Sequence, residues 1–244
     1  MKEKVLFTWS GGKDSAMALY ELKKKAGYEV VALLTTLTED YDRVSMHGVR
    51  RELLETQAAS LCLALDKVFI SKQSSNEDYE SGMRAVLERY KAKGVTSVAF
   101  GDIFLEGLRK YREENLAKIG MKGIFPLWKR KTSDLARDFI RAGFRAVITC
   151  VDSEVMDKRF AGREFDETFL SELPPGIDPC GENGEFHSFV HDGPVFESRI
   201  RHTRGEKVLR DQRFWYLDLI PVHCTTGGHA VACQGRGTKK EEER

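Results

Sequence analysis

Short apolar runs alternate with longer amphipathic stretches through the first 151 residues. Val5, Leu6 and Phe7 have strand composition, and a polar loop at 10–15 leads on to Ala16, Met17, Ala18 and Leu19, which read as helix. Residues 29–36 are almost continuously apolar, the pattern of a strand covered on both faces. A polar stretch at 37–47 precedes a helix predicted over 48–63, with Leu54, Ala58 and Leu61 on one face. Residues 67–70 predict a third strand. Asn76 is the predicted N-cap of a helix whose stripe is Tyr79, Met83, Val86, Leu87 and Tyr90, and Gly94 stops it. A fourth strand is predicted at 95–100, ending in Gly101-Asp102, and a helix at 105–119. Thr132 or Ser133 caps a helix carrying Leu135, Ala136, Phe139 and Ile140, and 146–151 predict a fifth strand.

This alternation implies right-handed βαβ units and an α/β fold, a doubly wound and mostly parallel sheet of Rossmann-like kind. Ligands of such sheets sit beyond the carboxyl ends of the strands. The 10–15 loop, the 35–48 stretch and Gly101-Asp102 all fall on that edge.

After 151 the pattern changes. A short helix is predicted at 166–173, broken by Pro174-Pro175-Gly176. Strands are predicted at 195–201, 207–210 and 215–220, with a turn at Arg204-Gly205-Glu206. The expected organisation is an α/β domain at 1–151, a smaller α+β region at 152–222, and a Gly- and charge-rich tail at 223–244 expected to be partly disordered.

Composition narrows the function classes. The chain has 244 residues, 41% hydrophobic and 32% charged, as in a soluble globular protein. A formal net charge of +1 argues against an extended nucleic-acid footprint. No apolar run approaches the roughly 20 residues of a membrane span, and the N-terminus lacks signal-peptide architecture. Five scattered cysteines without a C-x-x-C pair fit a reducing, cytoplasmic setting better than a disulfide framework.

The chemistry begins at Ser10-Gly11-Gly12-Lys13-Asp14-Ser15. Adjacent glycines allow close backbone approach, the next helix offers free N–H groups, and hydroxyls and a cation complete a phosphate cradle. It is not the G-x-x-x-x-G-K-[ST] loop. It resembles the pyrophosphate loop of N-type ATP pyrophosphatases, which split ATP into AMP and pyrophosphate. That resemblance implies that Gly11, Gly12, Ser10 and Ser15 hold phosphates and that Lys13 neutralises the departing pyrophosphate. It implies also that Asp14 ligates Mg²⁺. Thr35 and Thr36 then lie near the adenosine, and Gly101 and Asp102 near ribose or metal. His47 reads either as a phosphate contact or as a surface residue.

A second dense constellation spans 178–188. The run Gly181-Glu182-Asn183-Gly184-Glu185-Phe186-His187-Ser188-Phe189-Val190 is similar to the G-E-N-G-E-F-H-T-F-V signature of the diphthine–ammonia ligase family, with Ser188 keeping the hydroxyl. His47-Gly48-Val49-Arg50, Gly101-Asp102-Ile103, Pro126-Leu127-Trp128 and Gly143-Phe144-Arg145-Ala146 resemble further blocks of that family, in its order. The resemblance implies amidation of the carboxylate of diphthine, a modified histidine of elongation factor 2, by ATP and ammonia. Gly181, Glu182, Asn183, Gly184, Glu185, Phe186, His187 and Ser188 then form the acceptor segment. Within it Glu182, Glu185 and His187 join Lys13 and Asp14 as catalytic candidates. Relatives also occur in bacteria, which lack diphthamide, and there the acceptor is another carboxylate.

Two other readings share the phosphate loop. A tRNA-modifying enzyme would want a cysteine pair and a basic surface, and the sequence shows neither. A non-catalytic adenine-nucleotide sensor would need the loop alone. Cys180 reads as a nucleophile or as a small buried side chain. His223, Cys224, His229 and Cys233 are of types that suit Zn²⁺, at a spacing that is not a standard finger. A homo-oligomer is compatible with all of these readings.

Overall fold

The computed structural model describes residues 1–222, so the tail and its four His and Cys residues lie outside the described residues. The chain runs β1 (Glu3–Thr8), α1 (Lys13–Lys23), β2 (Tyr28–Thr38), β3 (Arg43–Val44), α2 (Arg51–Ser60), β4 (Ala64–Ile70), α3 (Asn76–Ala92), β5 (Ser97–Ala99), α4 (Glu106–Lys118) and β6 (Lys122–Ile124). There follow α5 (Thr132–Arg141), β7 (Arg145–Asp152), α6 (Glu167–Ser171), β8 (Phe186–Asp192), β9 (His202–Arg210) and β10 (Phe214–Pro221). Among the described residues no helix is long and apolar enough to cross a membrane.

β1 is the centre of the first sheet because Val5, Leu6 and Phe7 have nothing polar to expose and are fully buried. It pairs in parallel with β2 on one side and β5 on the other. β4 adds to β2 and β6 to β5, both parallel, and β3 bridges the end of β2 antiparallel. The α/β expectation holds. Strand order reverses direction at β1, so the loops after β1 and β5 diverge and leave a crevice.

The second sheet has the order β8-β7-β10-β9 and is antiparallel throughout. It takes the strand expected as the fifth of the first sheet. Apolar content at 146–151 sets burial, and all six residues are buried, but it does not choose a partner. β8, hidden in the polar signature, supplies that partner. Residues 195–201 are not a strand. Val195, Phe196 and Ile200 are buried from an irregular segment that follows the Gly193-Pro194 turn. Nor is there a turn at 204–206, since Gly205 lies inside β9. The reversal comes at Asp211 and Gln212, both with left-handed backbone.

Ser75, not Asn76, caps α3. Its hydroxyl accepts from Asp78 N at 3.1 Å while the Asp78 carboxylate accepts from Ser75 N at 2.9 Å. Ser75→Ala is expected to lower stability by about 1 kcal/mol in urea unfolding. The expected caps of α5 are absent too, because Lys131 occupies that position without a side-chain bond. Cys150 and Cys180 are free and buried.

Candidate active site

The phosphate loop sits where β1 ends and α1 begins. Gly11 has φ +78°, open to glycine with little strain. Gly12 must be small as well, because a Cβ there would lie 2.8 Å from His47 Cε1 and 3.1 Å from the Ser188 carbonyl oxygen. Ser10 Oγ donates to Ser15 Oγ at 3.2 Å and accepts from Gly12 N at 3.3 Å, and Ser15 Oγ donates to Gly12 O at 2.9 Å. Lys13 N, one of the free donors of the first helical turn, donates to Ser188 Oγ at 3.1 Å. The signature strand β8 is therefore laid directly on the loop, and Val190 N donates to Gly11 O at 2.9 Å.

The Lys13 side chain is 4% exposed. Its ammonium meets the Asp14 carboxylate at 2.7 Å and lies 5.4 Å from the centre of the Phe186 ring. Burial drives a lysine toward neutrality, but its acidic neighbours, Asp14 foremost and Glu182 beyond it, together outweigh burial and hold the ammonium protonated.

The signature turn is tied by its own carboxylates. Asp178 Oδ1 accepts from Cys180 N and Glu182 N at 2.9 and 3.2 Å. Glu185 accepts from Asp178 N, Asn183 N and Asn183 Nδ2 at 3.1, 3.0 and 2.9 Å. Glu185 and Asn183 thus satisfy each other within the turn, and neither lines the cavity. Gly181, at φ +66°, is packed where a Cβ would stand 2.8 Å from Phe186 O. This geometry delivers Glu182 to the end of β5, where Oε1 accepts from Ile103 N at 2.7 Å. Burial pushes the Glu182 carboxyl up to about 7; the Ile103 amide opposes that and the Asp14 charge adds to it. Cys180 donates its thiol to Thr132 O, and burial raises it far above an ordinary thiol. A thiol so protonated is a poor nucleophile, which favours the reading of Cys180 as a small buried side chain.

A cavity of about 470 Å³ collects these groups. Ser10, Lys13 and Asp14 line one wall, and Gly181, Glu182, Gly184, Phe186, His187 and Ser188 another. Thr35, Thr36, His47, Gly101 and Asp102 complete it. Two polar atoms facing this space are buried without a protein partner, Thr35 Oγ1 and His187 Nε2. Asp102 is not free, since Arg112 Nε lies 2.7 Å from it. Gly101 packs tightly, with a Cβ there falling 3.1 Å from the Asp14 carbonyl carbon. The sequence reading missed Arg112 and an apolar wall of Ile70, Tyr79, Met83, Leu105 and Leu108. It also missed Gln57, fully buried behind the loop. A polar residue inside the Leu54, Ala58 and Leu61 stripe was the available signal. Among the described residues no three His, Cys, Asp or Glu side chains gather as a metal cluster.

The His47 and His187 rings pack against each other at a tilt of 38° with centres 4.6 Å apart, and His47 Nδ1 bonds the Ser188 carbonyl at 3.2 Å. Burial first, then the nearby Lys13 charge, pushes His47 down to about 4 and His187 well below its ordinary value. Both rings are neutral in the folded protein, whereas an unfolded chain takes up protons below about 6.5. Stability is therefore expected to fall as pH drops from about 6.5 toward 4. Melting temperatures across that range, measured on the protein and on His47→Gln, check it: the variant should lose less stability as pH falls, and an identical slope in the two is the contrary result.

A switch-point crevice with this cradle and the cavity over it define a nucleotide-binding α/β fold of the pyrophosphate-loop class. Family models agree and go further: the diphthamide synthase N-terminal domain matches residues 1–123 and its C-terminal domain residues 131–220. The chain belongs to the diphthamide synthase family, and it is an ATP-dependent ligase. Human diphthine–ammonia ligase is 26% identical over 88% of this chain and 90% of its own length. The Schizosaccharomyces pombe diphthine–ammonia ligase is 28% identical over 84% of this chain, which spans only 37% of that longer protein. A solved U34-tRNA thiolase, NcsA from Methanococcus maripaludis with its [4Fe-4S] cluster, shares 18% identity over 57% of this chain and 56% of its own, at a TM-score of 0.34. That likeness is too remote to bear on function.

Proposed function

We propose that the protein activates an acceptor carboxylate with ATP and converts it to an amide with ammonia, and that the acceptor is a modified side chain of a protein, diphthine on elongation factor 2 where the cell makes it. One observation carries this reading: the phosphate loop and the signature strand meet in a single cavity, with Glu182 between them.

In this scheme Gly12, Ser10, Ser15 and Lys13 bind the pyrophosphate portion of ATP, and Thr35 with the wall of Ile70, Tyr79 and Met83 takes the adenosine. The unpartnered Thr35 hydroxyl and the close packing around Gly12 fit such a ligand. Mg²⁺, when bound, would supply charge neutralisation on the phosphates; Asp14, whose residue lines the cavity, would ligate it, and Mg²⁺ ordinarily takes only one or two protein carboxylates. An acceptor carboxylate oxygen attacks the α-phosphorus, the α–β bridging bond breaks, and pyrophosphate leaves. Ammonia then attacks the acyl carbon and AMP leaves with its oxygen. Glu182, titrating near neutrality, takes the proton from ammonium, while the neutral His187 nitrogen orients the incoming group.

A protein acceptor is favoured over a small acid by a second, open groove of about 910 Å³. It shares Val44, Ser45, Met46, Ile70 and Tyr79 with the nucleotide cavity and runs out over β9 and β10. The first sheet would thus hold the nucleotide and the second present the acceptor. The test supplies α-labelled ATP, ammonium and either diphthine-bearing elongation factor 2 or small carboxylic acids. AMP and pyrophosphate formed in step with amide on the protein are expected. Product that is only ADP, or nucleotide binding without turnover, overturns the reading.

A further inference from the structure

Gln57 stands behind the phosphate loop, does not itself line the cavity, and is fully buried. Its amide joins three separate segments. Oε1 accepts from Trp9 Nε1 at 2.9 Å, and Nε2 donates to Gly11 O at 3.1 Å and to Val190 O at 2.6 Å. Trp9 Nε1 can only donate and the two carbonyls can only accept. The site therefore calls for one acceptor and two donors on one short side chain, which a primary amide supplies. A carboxylate lacks the donors, and an apolar side chain lacks everything.

The consequence reaches the cradle through the peptide plane. The Gly11–Gly12 peptide is trans, so its C=O and N–H point in opposite directions. Gln57 Nε2 and Val190 N both hold the Gly11 carbonyl from behind. The Gly12 N–H is thereby turned forward, toward Ser10 Oγ and the cradle. Gly11 itself, with no Cβ, has little strain to resist a flip, and a Cβ there would meet Gln57 Oε1 at 2.7 Å. The loop thus gains its direction from a residue 46 positions away.

We infer that Gln57 is a positioning residue for pyrophosphate recognition: it aims the Gly12 N–H at the phosphates without touching them. The inference rests on the proposed ATP reading of the cradle. Calorimetric titration of wild-type protein, Gln57→Met and Trp9→Phe with inorganic pyrophosphate, ATP and AMP tests it. Gln57→Met should weaken pyrophosphate and ATP by about tenfold or more, the loss carried by one misdirected hydrogen bond to a charged oxygen. AMP, which lacks the leaving group, should stay within about twofold. A general loosening of the fold would weaken all three alike. Trp9→Phe removes the donor that orients the amide together with part of a buried ring, and should show the same selectivity at about threefold; it carries the test if Gln57→Met does not fold, because a loss from ring packing alone would weaken AMP as much as pyrophosphate. Wild-type binding with unchanged or evenly weakened variants overturns this inference alone. A wild-type protein that binds no pyrophosphate overturns the ATP reading as well.

Discussion

Lys13→Ala is expected to lower AMP and pyrophosphate formation by about 10²–10³-fold, the scale seen when one preorganised charge is removed from a developing anion. The ammonium is buried, held protonated, and placed at the mouth of the cradle. Its loss has a second effect, because Asp14 would keep a partly buried charge with no counter-ion. The single variant should therefore also melt at lower temperature. Adding Asp14→Asn separates the two: the double variant should regain stability but not activity. Recovery of turnover in the double variant, or near-normal turnover in the single one, would remove Lys13 from the chemistry.

Glu182→Gln is the second large effect. A general base contributes typically about 10²–10⁴-fold, and the amide cannot take a proton. With its carboxyl raised to about 7, wild-type activity should climb as pH rises through that value, since only the ionised form accepts a proton. The limb should vanish in the variant. Stability should move the other way. A raised carboxyl binds its proton more tightly when folded, so its favourable contribution is present below about 4.5 and lost as pH rises through 7. Glu182→Gln keeps an oxygen for Ile103 N and removes the buried charge, so at pH 8 it should melt at or above wild type. An unchanged pH profile would assign the proton transfer elsewhere.

Much of this site was legible in one dimension because phosphate recognition is local. Ser10, Gly11, Gly12, Lys13, Asp14 and Ser15 are contiguous, and backbone freedom, hydroxyls and a cation are properties that residues carry with them. Thr35 and Gly101 followed from topology, since strand ends in a parallel sheet share an edge. What stayed hidden depends on partners distant in sequence. Glu185 looks as reactive as Glu182, yet one carboxylate is consumed by Asn183 and Asp178 while the other faces the cavity. β7 has the composition of any buried strand, and only pairing with β8 reveals its sheet. Arg112 is one of several charges on α4, and only the fold brings it to Asp102.

The Ser188–Lys13 bond joins positions 175 apart, and it has a meaning for how the chain is made. During synthesis the first sheet can assemble once residue 124 has left the ribosome, since all its strands are then present. The cradle would still lack the Val190 part of its back support and the partner of its leading amide. Those arrive only with residues 188–190, so a nascent chain should acquire nucleotide affinity late, in one step, well after it has become compact.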